Sequence, residues 1–366
     1  MKKKIILALL SPQKDAVSET FIRAHKQLPF TIKHYYGGYF PTKLESVITI
    51  YRFTIFEKLL FKLSNKKDYH RKAIIKSFKK EKISCILAEY GPVGAEITSI
   101  ARSLNIPMIT HFHGFDATNP QTVDSYKTAY KEMFNYASGI IVVSQKMKQD
   151  ILKLGCPEQK ISINPCGPNP CFLTNKPAFS QNLFIAVARF VEVKGYLFTL
   201  TAFHRVVQEC PSARLVCIGD GPQIESCKQF VKIMCLEDSV RFMGERTPDE
   251  IQALFHESLA FLQHSVALSN GLNEGAPVSV MEAMAAGLPV VCSNSGGIKD
   301  LVVHKETGYL VEEFDTNNMS QYMITLINDK SSAKKMGEAA RLRIQNQLSL
   351  STHLHKIQTL IEKAVD

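Results

Sequence analysis

No stretch of these 366 residues approaches the ~20 consecutive apolar residues of a membrane-spanning helix, which excludes an integral membrane protein. The nine cysteines (Cys85, Cys156, Cys166, Cys171, Cys210, Cys217, Cys227, Cys235 and Cys292) contain no C-x-x-C, and no Cys/His cluster has metal-ligand spacing. Their number is odd and they are scattered, some within apolar runs, where a thiol is a small hydrophobe; this points to a reducing cytoplasm. Low-complexity tracts, short repeats and RNA- or DNA-binding motifs are also missing. The start, MKKKIILALLSPQKD, imitates a secretory signal, but its apolar run Ile5 to Leu10 is short and no A-x-A site follows. A first buried strand fits it better.

What is present is the composition of an ordinary soluble protein, 45% hydrophobic and 21% charged. The length exceeds what one core usually holds, so about two domains are expected. The net charge of +10 is unevenly placed: Arg52 to Lys82 carries eleven Lys and Arg against Glu57, Asp68 and Glu81. Phe53, Phe56, Leu60 and Leu63 recur there at three- and four-residue spacing, as on one face of a helix. Such a segment is either the solvated basic face of a core helix or a surface attracted to anionic lipid, and no motif supports nucleic acid as its partner.

Short apolar runs alternate with helix-length segments. Strands are predicted at Ile5–Leu10, Thr31–Tyr35, Ser84–Ala88, Pro107–His111, Gly139–Val143 and Ile161–Asn164. The Pro-rich stretch 168–182 reads as a linker. The rhythm then resumes at Leu183–Ala188, Ala213–Ile218, Ser239–Met243, Leu259–Gln263, Pro289–Cys292 and Gly308–Val311, and the chain is helical from Met319 on. Two doubly wound, Rossmann-like parallel-sheet α/β domains follow, at 1–172 and 180–347, with a C-terminal helix about 348–366 packing back on the first. Parallel sheets bind ligands at the carboxyl ends of their strands, so a substrate cleft between the domains is expected.

Residues 273–291 read NEGAPVSVMEAMAAGLPVV. Pro277 suits the first turn of a helix, Gly287 the position just past its end, and Pro289-Val-Val-Cys the next strand. Glu274 then falls in a loop at the carboxyl edge, and Glu282 inside the helix among Val280, Met281, Ala283 and Met284. A glutamate there needs a partner, and a ligand hydroxyl is one candidate. Arg189 and Lys194, on AVARFVEVKG, leave a strand for a helix, as suits a diphosphate. Gly296 and Gly297 of SNSGGIKD open a helix whose free N–H groups favour an anion.

The Glu274–Glu282 pair resembles the E-x7-E element of retaining GT-B glycosyltransferases of family 4. The string from Glu274 to Val311 is similar to that family, as are ARF...KG at 188–195, IGDGP at 218–222, VRFMG at 240–244, VSETFI at 17–22, HGFD at 113–116 and IIVVSQ at 140–145. The resemblance implies a GT-B fold and a retaining hexosyltransferase. It would move a sugar from a UDP- or GDP-linked donor to a glycan or lipid-linked acceptor, in cell-surface polysaccharide or lipopolysaccharide synthesis. Carried onto this chain, Arg189 and Lys194 grip the donor diphosphate and Glu282 binds the ribose. Glu274 lies beside the donor sugar, and the backbone of Gly275, Ala276, Pro277 and Val278 brings its N–H groups near sugar or phosphate oxygens. His113 of HGFD faces the anomeric centre, and Asp116 and Gly114 support its loop. No cofactor and no metal are expected, in keeping with the absence of Asp-x-Asp; His111 and His113 offer two imidazoles without an evident third ligand. The protein is expected in the cytoplasm, peripherally at the inner face of the plasma membrane through Arg52–Lys82. One departure is the first strand-to-helix loop, SPQKDAV, which lacks the family's usual Gly-Gly.

Two other classes compete. A nucleotide-dependent dehydrogenase needs G-x-G-x-x-G, and GDGPQI at 219–224 lacks the third glycine. A non-catalytic nucleotide-sugar-binding module would lose the residues at the anomeric side, yet His113 and Glu274 are both present.

Overall fold

A computed structural model describes residues 4–14, 20–47, 50 and 66–366. Phe53, Phe56, Leu60 and Leu63 of the basic segment lie outside these residues, as does 17–19 of VSETFI. The chain forms two compact units, one of Met1–Val143, Met147–Asn164 and Leu354–Asp366, the other of Ser144–Lys146 and Pro165–His353.

The first unit is built on β1 (Ile6–Leu10), β2 (Thr31–Tyr36), β3 (Lys43–Leu44), β4 (Cys85–Glu89), β5 (Met108–His111), β6 (Gly139–Val142) and β7 (Ile161–Ile163). They lie in the order β3-β2-β1-β4-β5-β6-β7, with β1 bonded on both edges to β2 and β4. The N-terminal apolar run is therefore a central strand. Every pairing is parallel except that of β2 with β3, whose two residues are too few to carry a periodic signal.

The second unit is built on β8 (Leu183–Val187), β9 (Arg214–Ile218), β10 (Val240–Phe242), β11 (Ala260–Gln263), β12 (Val290–Ser293) and β13 (Gly308–Val311), ordered β10-β9-β8-β11-β12-β13 and wholly parallel. Both of its faces are covered. Phe184, Leu215, Cys217, Leu262 and Val291 pack with helix Tyr196–Glu209 on one side, while Leu183, Ile185, Val216, Phe261 and Val290 pack with helices Pro248–Glu257 and Val278–Ala285 on the other. Alternate side chains of one strand thus enter two cores, which is why the strands read as unbroken apolar runs. Phe172, within the stretch read as a linker, is fully buried in the second of these cores. Its polar, Pro-rich neighbours concealed it.

Helix Val278–Ala285 ends as its sequence predicts. Gly287 takes φ +80° and Leu288 N–H reaches back to Ala283 O at 3.0 Å, a Schellman closure. The carbonyls left over at that end, Ala285 O and Ala286 O, accept from the Arg341 guanidinium at 3.1 and 2.6 Å, and Asn175 O accepts from it at 2.5 Å. All nine cysteines are free thiols. Among the described residues no helix is long and apolar enough to cross a membrane.

Candidate active site

In each sheet the strand order reverses direction once, between β1 and β4 and between β8 and β11, and crevices open at the carboxyl ends of such neighbouring strands. The residues singled out in the second unit cluster at its reversal. The loop after β8 is anchored by Phe190, which stacks on Tyr196 at 3.8 Å and 7°. A Cβ on Gly219 would lie 2.0 Å from Ala188 O and one on Gly221 2.6 Å from Phe190 O, so the glycines of IGDGP are spaces for this backbone. Gly195, at φ +58°, has no room for a Cβ either, which would sit 1.9 Å from His264 O. That close approach joins the loop after β8 to the loop after β11.

Lys194 and Glu274 meet as a result. Lys194 Nζ is 2.6 Å from Glu274 Oε2, with 14% and 9% of the two side chains exposed. Gln263 Nε2 and Ser265 Oγ donate to the same oxygen at 3.1 and 3.0 Å. Arg189 lies exposed on the first of these loops, and among the described residues no hydrogen bond or ion pair links it to Lys194 or Glu274. Gly275 and Pro277 are buried, Ala276 and Val278 partly so. Val278 opens an eight-residue helix, whose first N–H groups have no acceptor within the helix.

Glu282 sits one turn into that helix, where it accepts the backbone N–H of Asn169; burial nevertheless pushes its carboxyl from 4.5 up to about 8. The Gly296-Gly297 pair differs from expectation. Helix Ile298–Leu301 has only four residues, Gly297 N–H already donates to Glu274 O at 3.3 Å, and Cβ atoms on the two glycines would fall 1.9 Å from Glu274 O and 1.8 Å from Gly275 O. These glycines seat the glutamate loop, and the Gly297 N–H is committed to it.

In the first unit a second polar group gathers at the ends of β4 and β5. Glu89, fully buried, pairs through Oε1 with His25 Nδ1 at 2.6 Å and through Oε2 with His113 Nε2 at 2.9 Å; His111 Nδ1 is 3.6 Å from Oε2. Desolvation pushes this carboxyl up, but the two imidazoles outweigh it and hold it down at about 2. The third ligand that the sequence left unidentified beside His111 is therefore at hand in Glu89 and His25. Yet His25 and Glu89 stand at hydrogen-bond distance, closer than two ligands of one tetrahedral ion. His113 is also stacked on Phe21 at 4.0 Å. Asp116, fully buried, accepts the N–H groups of Gly91, His113 and Gly114 at 2.9, 3.0 and 2.9 Å, which fixes the HGFD loop. The turn from β4 requires φ +76° at Tyr90, a costly value for a non-glycine residue.

Glu89, His25, Gln263 and Ser265 escaped the sequence reading. Glu89 could have been found by the reasoning applied to Glu282, since it ends the apolar run ILAE with no partner nearby in sequence. His25 could not, being 64 residues away.

Two family models match successive parts of the chain, Glycosyltransferase Family 4 at residues 21–170 and Glycosyl transferases group 1 at 174–343. The amylovoran biosynthesis glycosyltransferase AmsK of Erwinia amylovora is 28% identical over 76% of this chain and 69% of its own. HepE of Anabaena, solved in complex with UDP-glucose, superposes with a TM-score of 0.79 at 16% identity, covering 98% of this chain and 100% of its own. Sucrose-phosphate synthase from Thermosynechococcus elongatus superposes with a TM-score of 0.77 at 17% identity, over 98% of this chain and 99% of its own.

Proposed function

We propose, from the premise that this chain belongs to glycosyltransferase family 4 and has the GT-B fold, that it is a retaining enzyme that draws on a nucleoside-diphosphate sugar. The acceptor is a glycan or lipid-linked saccharide of surface-polysaccharide synthesis, a reading supported by the similarity to the amylovoran enzyme. UDP is the favoured nucleotide, given the UDP-glucose bound by a protein of the same fold. In the transfer, the bond from the anomeric carbon to the diphosphate oxygen breaks and its electron pair leaves on the diphosphate. The acceptor oxygen bonds to that carbon on the same face, and its proton departs with the leaving group.

The observation that carries this reading is the Lys194–Glu274 pair at the end of the second sheet's reversal, an ammonium and a carboxylate in direct contact and largely shielded from solvent. Charge separates in the transition state, positive on the sugar and negative on the diphosphate, so fixed groups of both signs act where charge appears. Lys194 and the exposed Arg189 are assigned to the diphosphate, and Glu274 with the segment Gly275–Val278 to the sugar and its neighbouring oxygens. Glu282 is assigned to the ribose, and His113, on a loop held by Asp116, to the transferred sugar. With two cations on the leaving group, no divalent metal is needed.

A thermal-shift screen against UDP, GDP, ADP and their sugars tests it, since a ligand that binds only the folded protein raises its melting temperature. The stabilising donor is then incubated with acceptor saccharides in EDTA, and the product anomer is read by NMR. Retention of configuration in EDTA is expected; an inverted product, a metal requirement, or binding without turnover would overturn the respective part.

Membrane docking is assigned to Arg52–Lys82. Within the described part, helix Lys66–Glu81 buries Ile74 and Phe78 and exposes Arg71, Lys72, Lys76, Lys79 and Lys80. Sedimentation with anionic vesicles is expected at low salt and lost at high salt; no salt-sensitive binding would remove the assignment.

A further inference from the structure

The hydrogen bonds to Glu274 fall on one of its two oxygens. Lys194 Nζ, Gln263 Nε2 and Ser265 Oγ all donate to Oε2, at 2.6, 3.1 and 3.0 Å, and among the described residues none reaches Oε1. Gln263 and Ser265 are themselves held. The Gln263 amide nitrogen also lies 2.8 Å from Ser265 Oγ, and its carbonyl accepts from Ser279 Oγ at 3.4 Å. Ser293 Oγ donates to Ser265 O. Both residues are buried, Gln263 to 3% exposure and Ser265 fully.

A carboxylate free to turn about its last torsion can offer either oxygen, or both at once to two neighbouring hydroxyls. Three donors converging on one oxygen remove that freedom. A buried amide and hydroxyl that converge on one carboxylate oxygen and touch each other are costly to disrupt, so the arrangement is rigid. We propose that Gln263 and Ser265 are positioning residues that reserve Oε2 of Glu274 for the protein, so that Oε1 alone accepts a hydrogen bond from one hydroxyl of the transferred sugar. This rests on the assignment of Glu274 to the donor sugar. Its consequence is selectivity: the enzyme discriminates against a donor lacking that single hydroxyl, and does not grip a vicinal pair.

The test uses the full-length enzyme, its donor as identified by turnover, and a set of that donor's monodeoxy analogues, each lacking one sugar hydroxyl. For the wild type one analogue should fall below the others by about 10- to 100-fold in kcat/KM, the usual worth of a hydrogen bond to a charged acceptor. Glu274→Ala, which removes both oxygens, should close that gap. Gln263→Met and Ser265→Ala should narrow the same gap about 10-fold while the other analogues keep their ratios to the parent, and Ser265→Thr, which retains the hydroxyl, should preserve it. A merely structural role would instead lower every donor by a common factor. If Gln263→Met does not fold, Ser265→Ala decides. The inference is overturned if both variants leave the gap intact, or scale all donors together, while Glu274→Ala closes it; the assignment of Glu274 then stands. A gap that survives Glu274→Ala removes that assignment, and the inference with it.

Discussion

Lys194 Nζ and Glu274 Oε2 stand 2.6 Å apart although 80 positions separate them in the chain. Neither strand end alone would place them so. They meet because Gly195 lets the loop after β8 press against His264 O in the loop after β11. The two residues therefore act as a unit. Lys194→Ala is expected to lower kcat by about 10²–10³-fold, as loss of one group stabilising transition-state charge does. Combined with Glu274→Ala, the loss should fall short of the product of the single losses. A double-mutant cycle on kcat measures the coupling, and strict additivity would show that the pair has no joint role.

Glu282 predicts a pH dependence. Its folded carboxyl, raised to about 8 from an ordinary 4.5, binds a proton that the unfolded chain releases between those values. The folded state gains protons relative to the unfolded one there, so stability falls as pH rises from 4.5 through 8. Glu282→Gln should flatten that limb of the melting temperature against pH. If donor ribose hydroxyls donate to the carboxylate, donor affinity should rise over the same limb, which calorimetric titration at pH 6 and pH 9 would read.

Glu89 has the opposite sign. Its folded pKa of about 2 lies below the ordinary 4.5, so its stabilisation is complete above 4.5 and is lost as pH falls toward 2. Glu89→Leu leaves His25 and His113 without their shared carboxylate and should cost on the order of 3–5 kcal/mol, read by urea unfolding at pH 7. Glu89→Gln, which keeps an acceptor for one imidazole, should cost less and lose the acid dependence.

Gly297→Ala probes the seat of the glutamate loop. Its φ is −87°, so backbone strain is not at issue, but the added Cβ would lie 1.8 Å from Gly275 O. The loop must move, at a cost of roughly 1–3 kcal/mol. The expected result is a fall in kcat/KM larger than that of Gly244→Ala, where nothing lies within 4 Å of the new Cβ although φ is +67°.

Much of the architecture could be read from the chain because parallel strands covered on both faces become continuous apolar runs. Lys43–Leu44 had too few residues to signal, and Phe172 was hidden by prolines. The site was less legible. Lys194 and Glu274 were found by motif, but a motif does not say that a glycine is there for lack of space, and Gly296-Gly297 was read as an anion-binding helix start. Glu89 with His25, and Gln263 with Ser265, depend on contacts made through the fold. No sequence spacing encodes those contacts.

The most direct test is a crystal structure of the enzyme with its intact donor. The account predicts the diphosphate within hydrogen-bond reach of Lys194 Nζ and the Arg189 guanidinium, Glu274 Oε1 on one sugar hydroxyl, and Glu282 on the ribose. A donor lodged away from the loops after β8 and β11, with Lys194 still held by Glu274 and touching no phosphate, would contradict it.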